Sequence, residues 1–98
     1  MNDIKNKVVL IVGLGMIGGS IARGLKKANP KRRIIACDTD TQALQQALND
    51  GVISQSGELA ALCPQADIII LAVPPLTVCE LLLKVLKHMA SNAIITDV

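Results

Sequence analysis

Short apolar runs alternate along this chain with stretches whose apolar residues recur every three to four positions, which predicts a regular series of strands and helices. Val8-Val9-Leu10-Ile11-Val12 is a continuous, largely β-branched run, the pattern of a strand buried on both faces of a parallel sheet. Helical spacing follows at Ile17, Ile21, Leu25 and Ala28. Asn29-Pro30 ends that helix, because proline disfavours helical geometry in the residue before it. Arg33-Ile34-Ile35-Ala36-Cys37 is a second strand. Thr39 to Gln42 fits a capping box, in which the hydroxyl accepts from the third helical amide and the glutamine reaches back. Ala43, Leu44, Ala47 and Leu48 then face the sheet, and Asn49-Asp50-Gly51 supplies a left-handed exit.

The second half repeats the rhythm. Val52-Ile53-Ser54 reads as a short third strand, and Glu58 to Leu62 as a short helix ending before Pro64. Asp67-Ile68-Ile69-Ile70-Leu71-Ala72-Val73 is a strong strand closed by Pro74-Pro75. Thr77-Val78-Cys79-Glu80 is a second capping box, opening a helix that runs to about Ala90. Ala93 to Val98 is the last strand. Alternating strands and helices with short loops and right-handed crossovers give an α/β fold, a doubly wound parallel sheet of about five strands with helices on both faces. No repeat, low-complexity tract or linker divides the 98 residues, which read as one domain, 1–98.

Composition narrows the function classes. Hydrophobic residues make up 51% of the chain, enough for a core, and the net charge of +2 is too small a bias to favour nucleic acid or an acidic membrane. The one basic cluster, Lys26, Lys27, Lys31, Arg32 and Arg33, straddles the Asn29-Pro30 turn and reads as a solvated loop before a phosphate-binding patch. Cys37, Cys63 and Cys79 are widely spaced and odd in number, which predicts neither a disulfide framework nor a zinc site and suits a reducing cytoplasm. Lys5 and Lys7 before an uncharged stretch resemble a signal peptide, but glycines interrupt that stretch and no A-x-A site follows, so it is read as the first strand–helix unit. The chain has no Phe, Tyr or Trp, so aliphatic walls must hold any bound ring.

Gly13-Leu14-Gly15-Met16-Ile17-Gly18 is a G-x-G-x-x-G motif placed directly after a buried strand and at the opening of a helix, the context that gives the motif meaning. It marks a Rossmann-type dinucleotide site. Gly13 turns the chain off the strand, Gly15 lets a pyrophosphate approach the backbone, and Gly18 lets the helix pack closely. Free amides and the helix dipole receive the negative charge. Asp38 ends the second strand twenty residues after Gly18. There a carboxylate accepts from adenosine ribose hydroxyls and repels the extra phosphate of NADP, which favours NAD. The alternative is that Asp38 caps the next helix, a task Thr39 and Asp40 can also perform.

Other residues carry weaker signals. Val73 and Pro74 lie where the fourth strand delivers its loop to the same sheet edge, either walling the adenosine or simply ending the strand. Asp97 ends the last strand, with catalytic, orienting and structural roles all open. His88, the one histidine, follows Lys84 and Lys87 near a helix C-terminus, where a cation complements the dipole, and is not read as catalytic. Met16 and Ile17 sit within the motif but read as helix-start packing.

VVLIVGLGMIGGSIARGLK, IIACDTD, ADIIILAVPP and AIITDV together closely resemble the N-terminal domain of the prephenate dehydrogenase family, which includes arogenate and cyclohexadienyl dehydrogenases. Gly18-Gly19-Ser20 is more particular than the general fingerprint, and the resemblance runs from about Lys7 to Val98. It implies NAD(P) binding here and a separate helical domain that forms a homodimer and most of the substrate pocket. The implied reaction is oxidative decarboxylation of prephenate to 4-hydroxyphenylpyruvate in tyrosine biosynthesis. Gly13, Gly15, Gly18 and Asp38 match the family's cofactor positions. The Gly-Ser-x-Lys segment and the catalytic histidine that follow Thr96-Asp97 in the family have no match, so no catalytic residue is nominated. A chain ending on its fifth strand is expected to bind cofactor without turning over prephenate.

Rival readings remain. Pyrroline-5-carboxylate reductases and β-hydroxyacid dehydrogenases share the strand–glycine–helix opening, though many lack the acid. A non-catalytic nucleotide sensor needs the glycine turn and acid alone. A methyltransferase using S-adenosylmethionine places its glycine loop in a different register.

Overall fold

Apolar runs too short for helices and too continuous for a half-exposed sheet become the strands of a parallel sheet buried between two helical layers. The computed structural model describes residues 7–98; Lys5, part of the signal-like opening, lies outside them. The strands are β1 (Val9–Val12), β2 (Ile34–Cys37), β3 (Gln55–Ser56), β4 (Ile68–Leu71) and β5 (Ile94–Asp97). The helices are α1 (Met16–Ala28), α2 (Thr41–Asn49), α3 (Leu59–Leu62) and α4 (Pro75–His88), with a 3-10 turn at Cys63–Gln65. All pairings are parallel and the strand order is β3-β2-β1-β4-β5. The doubly wound sheet expected from the alternation is the one observed.

Period-2 alternation divides β1 between two cores. Val9 and Ile11 pack with Ile34, Ala36, Ala22 and Ala47 beneath α1 and α2. Leu10 and Val12 pack with Ile35, Ile69, Leu71, Leu62 and Val85 beneath α3 and α4. Every β1 residue is buried, as a central strand covered on both faces requires. Leu76, Leu83 and Leu86 on the outer side of α4, and Ile94 and Val98 at the β5 edge, are exposed.

Three local expectations are corrected. The third strand is Gln55–Ser56 rather than Val52–Ser54. Val52 and Ile53 are buried instead in the loop, where both amides donate to the Ala47 carbonyl. Their apolar character therefore reflects core packing after the helix, not sheet pairing. Helix α2 is capped by Asp40, whose Oδ1 accepts from the Gln42 and Ala43 amides at 3.0 and 3.1 Å, so Thr39 does not cap it. Helix α4 begins at Pro75 with no side-chain cap. Proline at the first helical position has no amide to satisfy and a φ already suited to the helix, which leaves Thr77 inside the first turn rather than at a cap. The left-handed exit after α2 is present, with Gly51 at φ 73°, and α4 stops at His88, before Ala90.

The basic cluster is tied into the local structure. Lys26 Nζ donates to the Arg32 carbonyl at 2.7 Å, and Arg33 donates to Gln55 at 2.6 Å and Gln65 at 3.2 Å.

Candidate nucleotide-binding site

Strand order reverses between β1 and β4, and a cleft of about 650 Å³ opens there at the carboxyl ends of the strands, where ligands bind in open α/β sheets. Its floor is the turn from β1 into α1. Gly13 has φ 100°, a left-handed conformation suited to glycine. A Cβ on it would stand 2.5 Å from the Ala72 carbonyl oxygen and 2.8 Å from Val73 Cγ1. A Cβ on Gly18 would overlap the Gly13 carbonyl oxygen. The turn off the strand and the helix that follows are thus pressed together, and only hydrogen fits at both positions.

Gly15 is the opposite case: nothing lies within 4 Å of where its Cβ would be. It is the N-cap of α1 without a side-chain cap, and the first turn carries no acidic residue. The Gly19 amide donates to the Gly15 carbonyl at 2.8 Å, so the amides of Met16, Ile17 and Gly18 precede the first helical hydrogen bond. An uncapped N-terminus with its amides toward open space is a place for an anion.

Asp38 leaves the end of β2 and reaches the glycine turn. The Leu14 amide donates to its Oδ2 at 2.6 Å and the Asp40 amide to its Oδ1 at 2.9 Å. Each carboxylate oxygen keeps a further acceptor site, so Asp38 remains able to receive hydroxyl donors while held in one orientation. The alternative capping role falls to Asp40.

Gly13, Gly15, Asp38, Val73 and Pro74 all line the cleft. Leu14 does not present its side chain there. It is buried with Ala22 and Ala47 on the α1–α2 side, and its amide is held by Asp38. Met16 and Ile17 are 90% and 61% exposed, which overturns the expectation that they pack at the helix start. The buried positions of α1 are Gly18 and Ala22, so Met16 and Ile17 fall on its solvent side. Asp97 is exposed at the end of β5, in register with Leu71. His88 occupies the last turn of α4.

The walls hold residues that the sequence did not single out for the site: Cys37, Glu58, Leu59, Leu81 and Lys84. Burial, with smaller contributions from Cys63, Asp38 and Glu58, pushes the Cys37 thiol up to about 11, against a small opposing effect of Lys84. Burial also pushes the Cys63 thiol up. A signal for Glu58 existed. Had β3 been read as Gln55–Ser56, the next residues, Gly57 and Glu58, would have fallen at the carboxyl edge with the other loops.

A family model described as the prephenate dehydrogenase nucleotide-binding domain matches residues 21–98. The chain belongs to this family. A prephenate dehydrogenase from Lactococcus lactis is 41% identical over 92 residues, covering 93% of this chain and 26% of the relative. One from Bacillus subtilis is 36% identical over 104 residues, covering 100% of this chain and 27% of the relative. The chain thus spans about a quarter of the length of the curated relatives it matches. Among solved structures, A. aeolicus prephenate dehydrogenase in complex with hydroxyphenyl propionate and NAD+ superimposes with a TM-score of 0.85 at 29% identity, covering 93% of this chain and 32% of that one. The resemblance read from the glycine turn, the acid and the strand ends is borne out, and the family match sets aside the rival dehydrogenase families. Among the described residues, no helix is long and apolar enough to cross a membrane.

Proposed function

We propose that this domain holds NAD in the carboxyl-edge cleft, as the cofactor half of a dehydrogenase that oxidatively decarboxylates prephenate or arogenate. The observation that carries the reading is the hydrogen bond from the Leu14 amide to Asp38, which fixes a carboxylate beside the open backbone of Gly15. The residues present fit a dinucleotide. The amides of Met16, Ile17 and Gly18 suit its pyrophosphate, the free acceptor sites of Asp38 suit its adenosine ribose, and Val73 and Pro74 wall the same cleft. Leu14 and Gly18 serve by shaping the loop. Bound there, NAD supplies the hydride acceptor. This chain's residues bind and orient it, and a phosphate on the ribose would meet the Asp38 charge, which disfavours NADP.

The A. aeolicus relative carries NAD+, which supports the cofactor assignment. The relatives it matches are about four times as long, and the family resemblance implies that a separate helical domain supplies the catalytic base, most of the substrate pocket and a homodimer interface. On this reading the 98-residue chain binds cofactor without turnover, and three free thiols suit the cytoplasm. The test is a titration followed by nicotinamide fluorescence, which no tryptophan of this chain obscures. NADH is expected to bind more tightly than NADPH by roughly tenfold, about 1.4 kcal/mol. Equal affinities, or tighter NADPH binding, would refute the role given to Asp38.

A further inference from the structure

We propose that Glu58 and Lys84 read the edge of the bound dinucleotide's base and select adenine; this rests on the NAD reading above. Pyrophosphate over Gly15 and ribose at Asp38 fix the direction of the ligand, because the base must lie beyond Asp38, on the side away from Gly15. That end of the cleft is walled by Cys37 at the end of β2, by Glu58, the N-cap of α3, with Leu59 of α3, and by Leu81 and Lys84 of α4, and α3 packs against both β2 and α4. With no aromatic residue in the chain, the base cannot stack on a ring here. The aliphatic side chains of Leu59 and Leu81 contact its faces without distinguishing one purine from another. Selectivity is left to the polar groups at the rim.

Beside the hydroxyls of Thr39 and Thr77, those groups are two opposite charges, Glu58 and Lys84. Among the described residues the one ion pair joins Arg23 to Asp50, and Glu58 and Lys84 line one cleft without a salt bridge between them. A carboxylate only accepts and an ammonium only donates. Adenine presents a matching edge, with the donor N6 amino group beside the acceptor N7. Glu58 receives N6–H and Lys84 donates to the ring nitrogen. A 6-oxopurine replaces the amino donor with O6, an acceptor, which Glu58 repels.

The test compares binding of NADH with that of reduced nicotinamide hypoxanthine dinucleotide, both followed by nicotinamide fluorescence on the 98-residue chain. The wild type is expected to prefer NADH by roughly tenfold, the scale of a well-placed base contact. Glu58→Gln, whose amide can donate to O6, is expected to bring the two within about threefold, again on the scale of that single contact. Lys84→Met is expected to weaken NADH binding several-fold. Glu80→Gln makes the same charge change on α4 at a residue that does not line the cleft and should leave the preference intact. Equal wild-type affinities, a preference that survives Glu58→Gln, full NADH affinity in Lys84→Met, or an effect of Glu80→Gln as large as that of Glu58→Gln would each overturn the assignment. If neither dinucleotide binds, the NAD reading itself fails; if both bind equally, only the base-reading role does.

Discussion

The Leu14 amide donates to Asp38 Oδ2 at 2.6 Å across 24 residues of sequence, so the glycine turn and the acid at the end of β2 form one hydrogen-bonded unit. Asp38→Ala leaves the Leu14 and Asp40 amides without an acceptor. The partly buried Leu14 bond to this charged group carries about 1.5–3 kcal/mol, so the variant should unfold at visibly lower urea concentration and lose NADH binding. Asp38→Asn keeps a carbonyl acceptor for Leu14 and removes the charge. It should retain most of the stability while the preference for NADH over NADPH collapses. An Asp38→Ala chain with a wild-type unfolding midpoint would show that the link between the strand ends is incidental.

The glycines of α1 and its approach separate fold from function by substitution to alanine. A Cβ at Gly18 runs into the Gly13 carbonyl, and overpacking of this kind costs about 1–3 kcal/mol. Gly24, inside α1 with nothing within 4 Å of its Cβ position, should gain about 0.5–1 kcal/mol as alanine through the helical preference alone. Gly15→Ala meets open space in the protein but stands where the pyrophosphate would approach. Its melting temperature should match the wild type while its NADH affinity falls by an order of magnitude or more. Melting curves and titrations on the three variants check this together, and an unimpaired Gly15→Ala would place the phosphates elsewhere.

How much of this was legible in sequence depended on whether a residue's role was local. Val8 to Val12 reads as a central strand because burial on both faces leaves no polar position, and the glycine turn reads as a ligand loop because it follows such a strand. Residues 52–53 mislead for a physical reason. Val52 and Ile53 are as apolar as a strand, yet they plug the core at the end of α2, while pairing falls to Gln55 and Ser56, whose side chains are polar. Leu81 and Lys84 reach the cleft only because α4 crosses the same face of the sheet as α3, and no local pattern announces that. The Leu14–Asp38 bond joins two motif positions that spacing had treated as independent ligand contacts.

The caps give a sharper check on the local correction. Asp40 accepts from two amides of α2, so Asp40→Ala should cost about 1 kcal/mol, whereas Thr39→Ala should leave the unfolding transition nearly unchanged. The reverse order, read from denaturation curves on the two variants, would restore the capping box expected at Thr39. Because Thr39 also lines the cleft, its substitution is expected to appear in NADH titrations rather than in stability.

Cys37 links the cleft to pH. Burial first, then the neighbouring Cys63, Asp38 and Glu58, raise its pKa from 9.0 to about 11. A folded-state value above the unfolded one means that the unfolded chain loses this proton first. The contribution to stability is therefore intact below about pH 9 and is lost as pH rises towards 11. At pH 7.5 the thiolate is scarce, so Cys37 should alkylate slowly although it lines the cleft, while exposed Cys79 should react first with iodoacetamide. Peptide mapping by mass spectrometry orders the sites, and repeating the reaction at higher pH should bring Cys37 up steeply while NADH slows its labelling. Fast modification of Cys37 at neutral pH, ahead of Cys79, would contradict both its burial and its place in the wall of the cleft.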